Sequence, residues 1–147
     1  MKGDFTVGGR KGTITICGSM DFIPQMKAWR ALLIREGYAV FVPHLINHRA
    51  SHKPLHSIGR LKASEARIHF EKIRKSDAIL VLNYEKGGIE NYIGGAAFGE
   101  ITVAFLLRKR IFLLNPIPLN LPYTEELVAW GVDRWTGPTI QEMKKAA

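Results

Sequence analysis

Short runs of β-branched and aliphatic residues alternate along this chain with longer stretches whose apolar residues recur every third or fourth position. The runs are "TITIC" (13–17), "YAVFV" (38–42), "DAILVLN" (77–83) and "RIFLLN" (110–115), each bounded by glycine, proline or polar residues. Runs this short and this continuously apolar predict strands covered on both faces, the third of them central. Between the first two, Phe22, Met26, Trp29 and Leu33 share one helical face. They predict a helix from Asp21, its N-cap, to about Glu36, closed by Gly37. Ala66, Phe70 and Ile73 predict a second helix over about 63–75, and an apolar helix follows the glycines at 94 and 95. A short helix begins near Thr124, with Glu125 and Glu126 favourably placed in its first turn. Residues 44–60 read as a long polar loop, and 133–147 as a short edge strand and a terminal helix.

Alternation of this kind builds a doubly wound α/β sheet of four to five parallel strands with helices on both faces. At 147 residues the chain fits a single domain, 13–147, preceded by a loose basic arm, 1–12. In such sheets ligands bind outside the carboxyl ends of the strands, where strand order reverses. The loops Gly18–Phe22, His44–Arg60, Asn83–Gly95 and Asn115–Pro118 therefore become the candidates.

Composition narrows this only where it departs from the ordinary. No apolar run reaches the roughly 18–20 residues that span a bilayer, and the N-terminus lacks the apolar block of a signal peptide. The single cysteine, Cys17, excludes an intrachain disulfide and fits a cytoplasmic location. A net charge of +8 suits nucleic acid, an anionic surface, a phosphorylated small molecule, or simply a soluble basic surface. The basic residues are dispersed, with short clusters at Lys72–Lys75 and Arg108–Arg110, which speaks against nucleic acid as the partner.

The loop "GSMDF" follows the first strand. A glycine there admits a ligand to the backbone at a helix N-terminus; alternatively the segment is a tight turn capped by Asp21. Neither a G-x-G-x-x-G fingerprint nor a Walker A pattern occurs. His44, His48, His52 and His56 recur every fourth residue, but Pro43 and Pro54 argue against one continuous helix. No carboxylate or cysteine nearby in sequence completes a metal site, so no metal is expected. Glu100 is the only acidic residue between Asn91 and Thr124, with Ala96, Ala97, Val103 and Ala104 around it on a helix. Burying a lone carboxylate costs several kcal/mol, so Glu100 either opens onto a polar cleft or sits at an exposed patch. Asp77, before the third strand, is a polar site candidate or a turn residue.

The segments "ITICGSM", "SDAILVLN", "NYIGGAAFGE" and "RKRIFLLN", in this order, resemble the nucleoside 2-deoxyribosyltransferase family, which includes nucleoside 5'-monophosphate N-glycosidases. The resemblance covers most of 13–118 and implies a flavodoxin-like fold and cleavage or transfer at the N-glycosidic bond of a (deoxy)nucleoside or its 5'-monophosphate. It implies Glu100 as nucleophile and Asp77 as the acid that assists the leaving base. Gly18, Ser19, Met20, Asp21 and Phe22 would line the sugar and base pocket, with Asn83, Asn91, Tyr92, Gly94 and Gly95 beside the sugar or phosphate. No cofactor is implied, and a homodimer or larger homo-oligomer is. The chain departs from the family at Ile16, where an orienting tyrosine is common, and at Asn91, where an aspartate is. These departures keep a non-catalytic nucleotide-binding or sensing module on the same fold as the alternative.

Overall fold

The computed structural model describes residues 3–46 and 55–140, with the side chains of 55–58 left aside. Five parallel strands form the main sheet: β3 (Thr13–Cys17), β4 (Ala39–Phe41), β5 (Ala78–Val81), β6 (Arg110–Leu113) and β7 (Asp133–Arg134). Their order is β4-β3-β5-β6-β7. The chain leaves β3 toward β4 on one side and returns to β5 on the other, so strand order reverses between β3 and β5. This is the flavodoxin-like arrangement, and its ligand crevice belongs at the carboxyl ends of β3 and β5.

Side chains alternate across the sheet with period two. Ile14, Ile16, Ala78, Leu80 and Leu82 pack with Met26, Trp29, Leu32 and Leu33 of α1 (Ile23–Arg35). Cys17, Ile79, Val81, Ile111 and Leu113 face the other way. There they meet Ile73 of α2 (Leu55–Arg74), Ala97, Ile101 and Ala104 of α3 (Gly95–Leu106), and Leu127 of α4 (Thr124–Ala129). The helical face expected from Phe22, Met26, Trp29 and Leu33 is the one buried, although residues 20–22 form a single 3-10 turn before α1 proper.

Two expectations need correction. Residues 1–12 do not read as a loose arm where they are described: β1 (Thr6–Val7) and β2 (Arg10–Lys11) form an antiparallel hairpin. Gly8 and Gly9 turn it with φ of 58° and 80°, the left-handed conformation that a two-residue hairpin turn requires. Ahead of it, Phe5 is buried edge-on against Phe112, and its N–H donates to the Tyr38 hydroxyl at 2.9 Å. Strands of two residues carry too little alternation to stand out in the sequence. The second correction is that α2 begins at Leu55, not near 63, so the end of the supposed polar loop is helical. Pro54 immediately precedes it, and proline is tolerated at a helix entrance, where no intrahelical N–H is needed. Residues 47–54, with His48 and His52, and 141–147, with the expected terminal helix, lie outside the described residues. Among the described residues no helix is long and apolar enough to cross a membrane.

Candidate active site

β3 ends at Cys17, and Gly18 turns the chain with φ of 150°. A Cβ on Gly18 would lie 3.1 Å from the Leu82 carbonyl oxygen, so the turn hugs the end of β5. After β5, residues 82–94 lead to α3, whose N-cap Gly94 is extended. A Cβ on Gly94 would come within 2.9 Å of the Tyr92 hydroxyl, whereas one on Gly95 would meet nothing within 4 Å. A side chain at the first position would have to displace the Tyr92 ring, whereas the second faces open space.

Between these two loops lies a cleft of about 300 Å³. Gly18, Ser19, Met20, Asp21, Tyr92, Gly94, Gly95 and Glu100 all line it. Lys86 ties its two sides together: its ammonium donates to Ser19 Oγ at 2.9 Å, pairs with Asp21 at 3.0 Å and lies 5.1 Å from the Tyr92 ring centre. Lys62 and Glu65 of α2 also line the cleft, and Glu65 Oε1 is 2.8 Å from His44 Nδ1.

Glu100, one and a half turns into α3, is the most buried carboxyl group of this lining, its side chain 13% exposed. Its Oε2 lies 3.4 Å from Nε2 of His69, which α2 brings in from the other side. Cys17 Sγ lies 3.5 Å from the same nitrogen and is hydrogen-bonded with Glu100. One donor atom from each of the three residues lies within 4.8 Å of the others, a spacing that a metal ion could bridge.

Burial sets the protonation of this cluster. It pushes Glu100 up to about 8, although the hydrogen bond from Cys17 pulls the other way. It pushes His69 down to about 4, with the charge of Lys72 adding to the effect. The Cys17 thiol is raised well above its ordinary value, first by burial and then by Glu100. Near neutral pH the Glu100–His69 contact is therefore one between a carboxylic acid and a neutral imidazole, not an ion pair.

The remaining residues singled out in the sequence fall elsewhere. Asp77 stands at the amino end of β5, the opposite end of the sheet from the cleft, and its Oδ2 accepts the Thr13 N–H at 2.8 Å. Asn83 is fully buried and clamps the loop after β6. Its Oδ1 accepts from the Asn115 N–H at 2.7 Å, and its Nδ2 donates to the Asn115 and Pro116 carbonyls. Phe22 is buried edge-on against Tyr84. Asn91, in the left-handed region with φ of 55°, lines a second cleft of about 860 Å³ with Pro116–Leu121 and Val132–Arg134. That cleft is larger, but its carboxylates, Glu90 and Asp133, are exposed and carry none of the buried chemistry.

Sequence reasoning missed His69 and used Cys17 only as a sign of redox state. A signal for His69 was present: it lies three residues after Ala66 and four before Ile73, on the apolar face of α2. Cys17 shares the side of β3 that carries Thr15, whose hydroxyl bonds to Ser76 in the same buried layer.

No family model and no curated protein matches the sequence. Among the solved structures similar to it are two enzymes. One is the CMP N-glycosidase BcmB of Clostridium botulinum, at 11% identity and a TM-score of 0.49, over 91% of this chain and 96% of that one. The other is a 2-desoxiribosyltransferase from Leishmania mexicana, at 20% identity and a TM-score of 0.46, over 87% of this chain and 79% of that one.

Proposed function

We propose that the chain cleaves or transfers at the N-glycosidic bond of a nucleoside or nucleoside 5'-monophosphate, with Glu100 as nucleophile. The observation that carries this reading is a nearly buried carboxyl group whose exposed edge opens onto a strand-end cleft. A carboxylate there can attack C1' of a bound sugar while the C1'–N bond breaks and its electron pair leaves with the base. The base takes up a proton, and water or a second base then displaces Glu100 from C1'. Water gives hydrolysis and a base gives transfer. The transition state has oxocarbenium character, and a carboxylate in a poorly solvated site stabilises that charge more than water does.

Ionisation is the cost of this placement. With Glu100 at about 8, about one molecule in ten carries the carboxylate at pH 7. Lys62 and Lys86 beside the cleft support a substrate bearing a 5'-phosphate. The chain is also proposed to act as a homo-oligomer in the cytoplasm, the first from the family resemblance and the second from its single cysteine. A monomeric mass in analytical ultracentrifugation would remove the first.

One observation favours the second reading, a nucleotide-binding module without catalysis. Asp77, the acid implied by the resemblance, is bonded to Thr13 at the far end of the sheet. Asp21 and Glu65 are the other carboxyl groups of the cleft. The two readings separate in an assay of base release across ribo- and deoxyribonucleosides, with and without 5'-phosphate. Turnover that disappears in Glu100→Ala is expected. Binding of these compounds without release of any base would leave the non-catalytic module in its place.

A further inference from the structure

We infer that Cys17, His69 and Glu100 form a three-ligand site for zinc, or a similar borderline divalent ion, whose fourth position opens on the cleft. The donor types are one thiol, one imidazole and one carboxyl group, contributed by β3, α2 and α3. Zinc bonds of about 2.3 Å to sulfur and about 2.0–2.1 Å to nitrogen and oxygen, at tetrahedral angles, place neighbouring donors about 3.3–3.6 Å apart. Here Cys17 Sγ and His69 Nε2 are 3.5 Å apart, and His69 Nε2 and Glu100 Oε2 are 3.4 Å apart. Two of the three edges of a ligand triangle are thus already at bonding length, and the third is under 4.8 Å.

Rigidity and charge support the same assignment. Cys17 and His69 are buried at 0% and 5% exposure, fixed by the sheet and by a long helix. Nε2 is the ring nitrogen of His69 that faces Cys17 and Glu100, while Nδ1 has no hydrogen-bond partner among the described residues. A thiolate, a carboxylate and a neutral imidazole around a dication sum to zero charge, which suits a site withdrawn from water. On binding, the thiol proton, and that of the carboxyl group where it holds one, pass to solvent as the metal–ligand bonds form. The ligands leave one tetrahedral position for water or a cleft-bound donor, toward the side where Glu100 meets the cleft.

Occupancy does not depend on the N-glycosidic reading; its consequence does. If Glu100 is the nucleophile, a bound ion holds its carboxylate away from C1' and the enzyme is off, so that zinc acts as an inhibitor and not as a cofactor.

Cobalt(II) titrated into the full chain, stripped of metal and kept under a non-thiol reductant, tests the site. Cys17 is the only cysteine, so a sulfur-to-cobalt charge-transfer band can come from nowhere else in the chain. The expected result is that band, growing to one equivalent together with the intense visible bands of four-coordinate cobalt, and lost on adding zinc. Cys17→Ser should lose the charge-transfer band, and His69→Gln the four-coordinate spectrum, with circular dichroism reporting that each variant is folded. Cobalt binding without a sulfur band, as the histidines of 44–56 alone would give, overturns the site, and so does no binding. The parallel assay keeps the two proposals apart. Base release in chelator without a sulfur band ends the metal site alone, whereas a sulfur band without base release ends the glycosidic reading alone.

Discussion

Glu100 is a carboxylic acid held at the edge of water, and its protonation bears on stability and, on the proposed reading, on reactivity. As a nucleophile it must be ionised, so kcat/KM measured in chelator should rise about tenfold per pH unit below about 8 and level above it. A profile that instead falls above pH 8 would assign Glu100 the role of acid. Its effect on stability has the opposite slope. The folded pKa lies above the unfolded value of 4.5, so the folded chain holds the proton longer, and stability is lost as pH rises from 4.5 through about 8. Glu100→Gln should flatten that loss, by up to about 1.4 kcal/mol per pH unit across the interval. Urea melts at pH 5 and pH 8 would show it, and equal melts of the two proteins at both values would refute it. His69 acts in the reverse sense: its pKa is depressed from 6.5 to about 4, so its contribution is complete above 6.5 and lost as pH falls through 4.

At the scale of elements, the loop after β6, which lines the second cleft, is held by a residue outside the lining of both clefts. Asn83 closes three hydrogen bonds onto the loop after β6 from a fully buried position at the end of β5. Asn83→Ala strands the Asn115 N–H, and a buried unsatisfied group of this kind costs about 1–3 kcal/mol. The expected outcome is a lower denaturation midpoint with the substrate affinity of the folded protein retained. A large loss of affinity at unchanged stability would return Asn83 to the binding site that the sequence suggested. The same scale separates Asp77 from Glu100. Asp77 precedes β5 and so lies at the amino end of the sheet, whereas the crevice is at the carboxyl ends; the pairing is implied by the family resemblance and not by strand direction. For His69 the periodicity of α2 was legible, yet nothing in the sequence says which element its apolar face covers.

For the whole molecule, the N-terminal segment is anchored to the core through Phe5, while the hairpin after it is largely exposed. Phe5 packs with Phe112, and through it with Trp135 and Tyr38. Phe5→Ala should therefore cost about 3 kcal/mol or more, as for other buried aromatic residues, read as a lowered midpoint in thermal or urea melts. An unchanged midpoint would return residues 1–12 to the loose arm that the sequence suggests.

The alternation of apolar runs and helical faces, by itself, determined the parallel sheet and the succession of its strands and helices, and it named the strand-end loops as candidates. It also singled out Glu100, because one carboxylate in an apolar helix is costly enough to need a reason. Those are properties of local period and composition, which a chain carries before it folds. The meeting of Cys17, His69 and Glu100 was decided only in three dimensions. β3, α2 and α3 lie far apart in sequence, and the contact depends on how two helices cross one face of the sheet. The protonation of the cluster was decided there too, since the desolvation that lifts Glu100 and lowers His69 exists only once that face is closed.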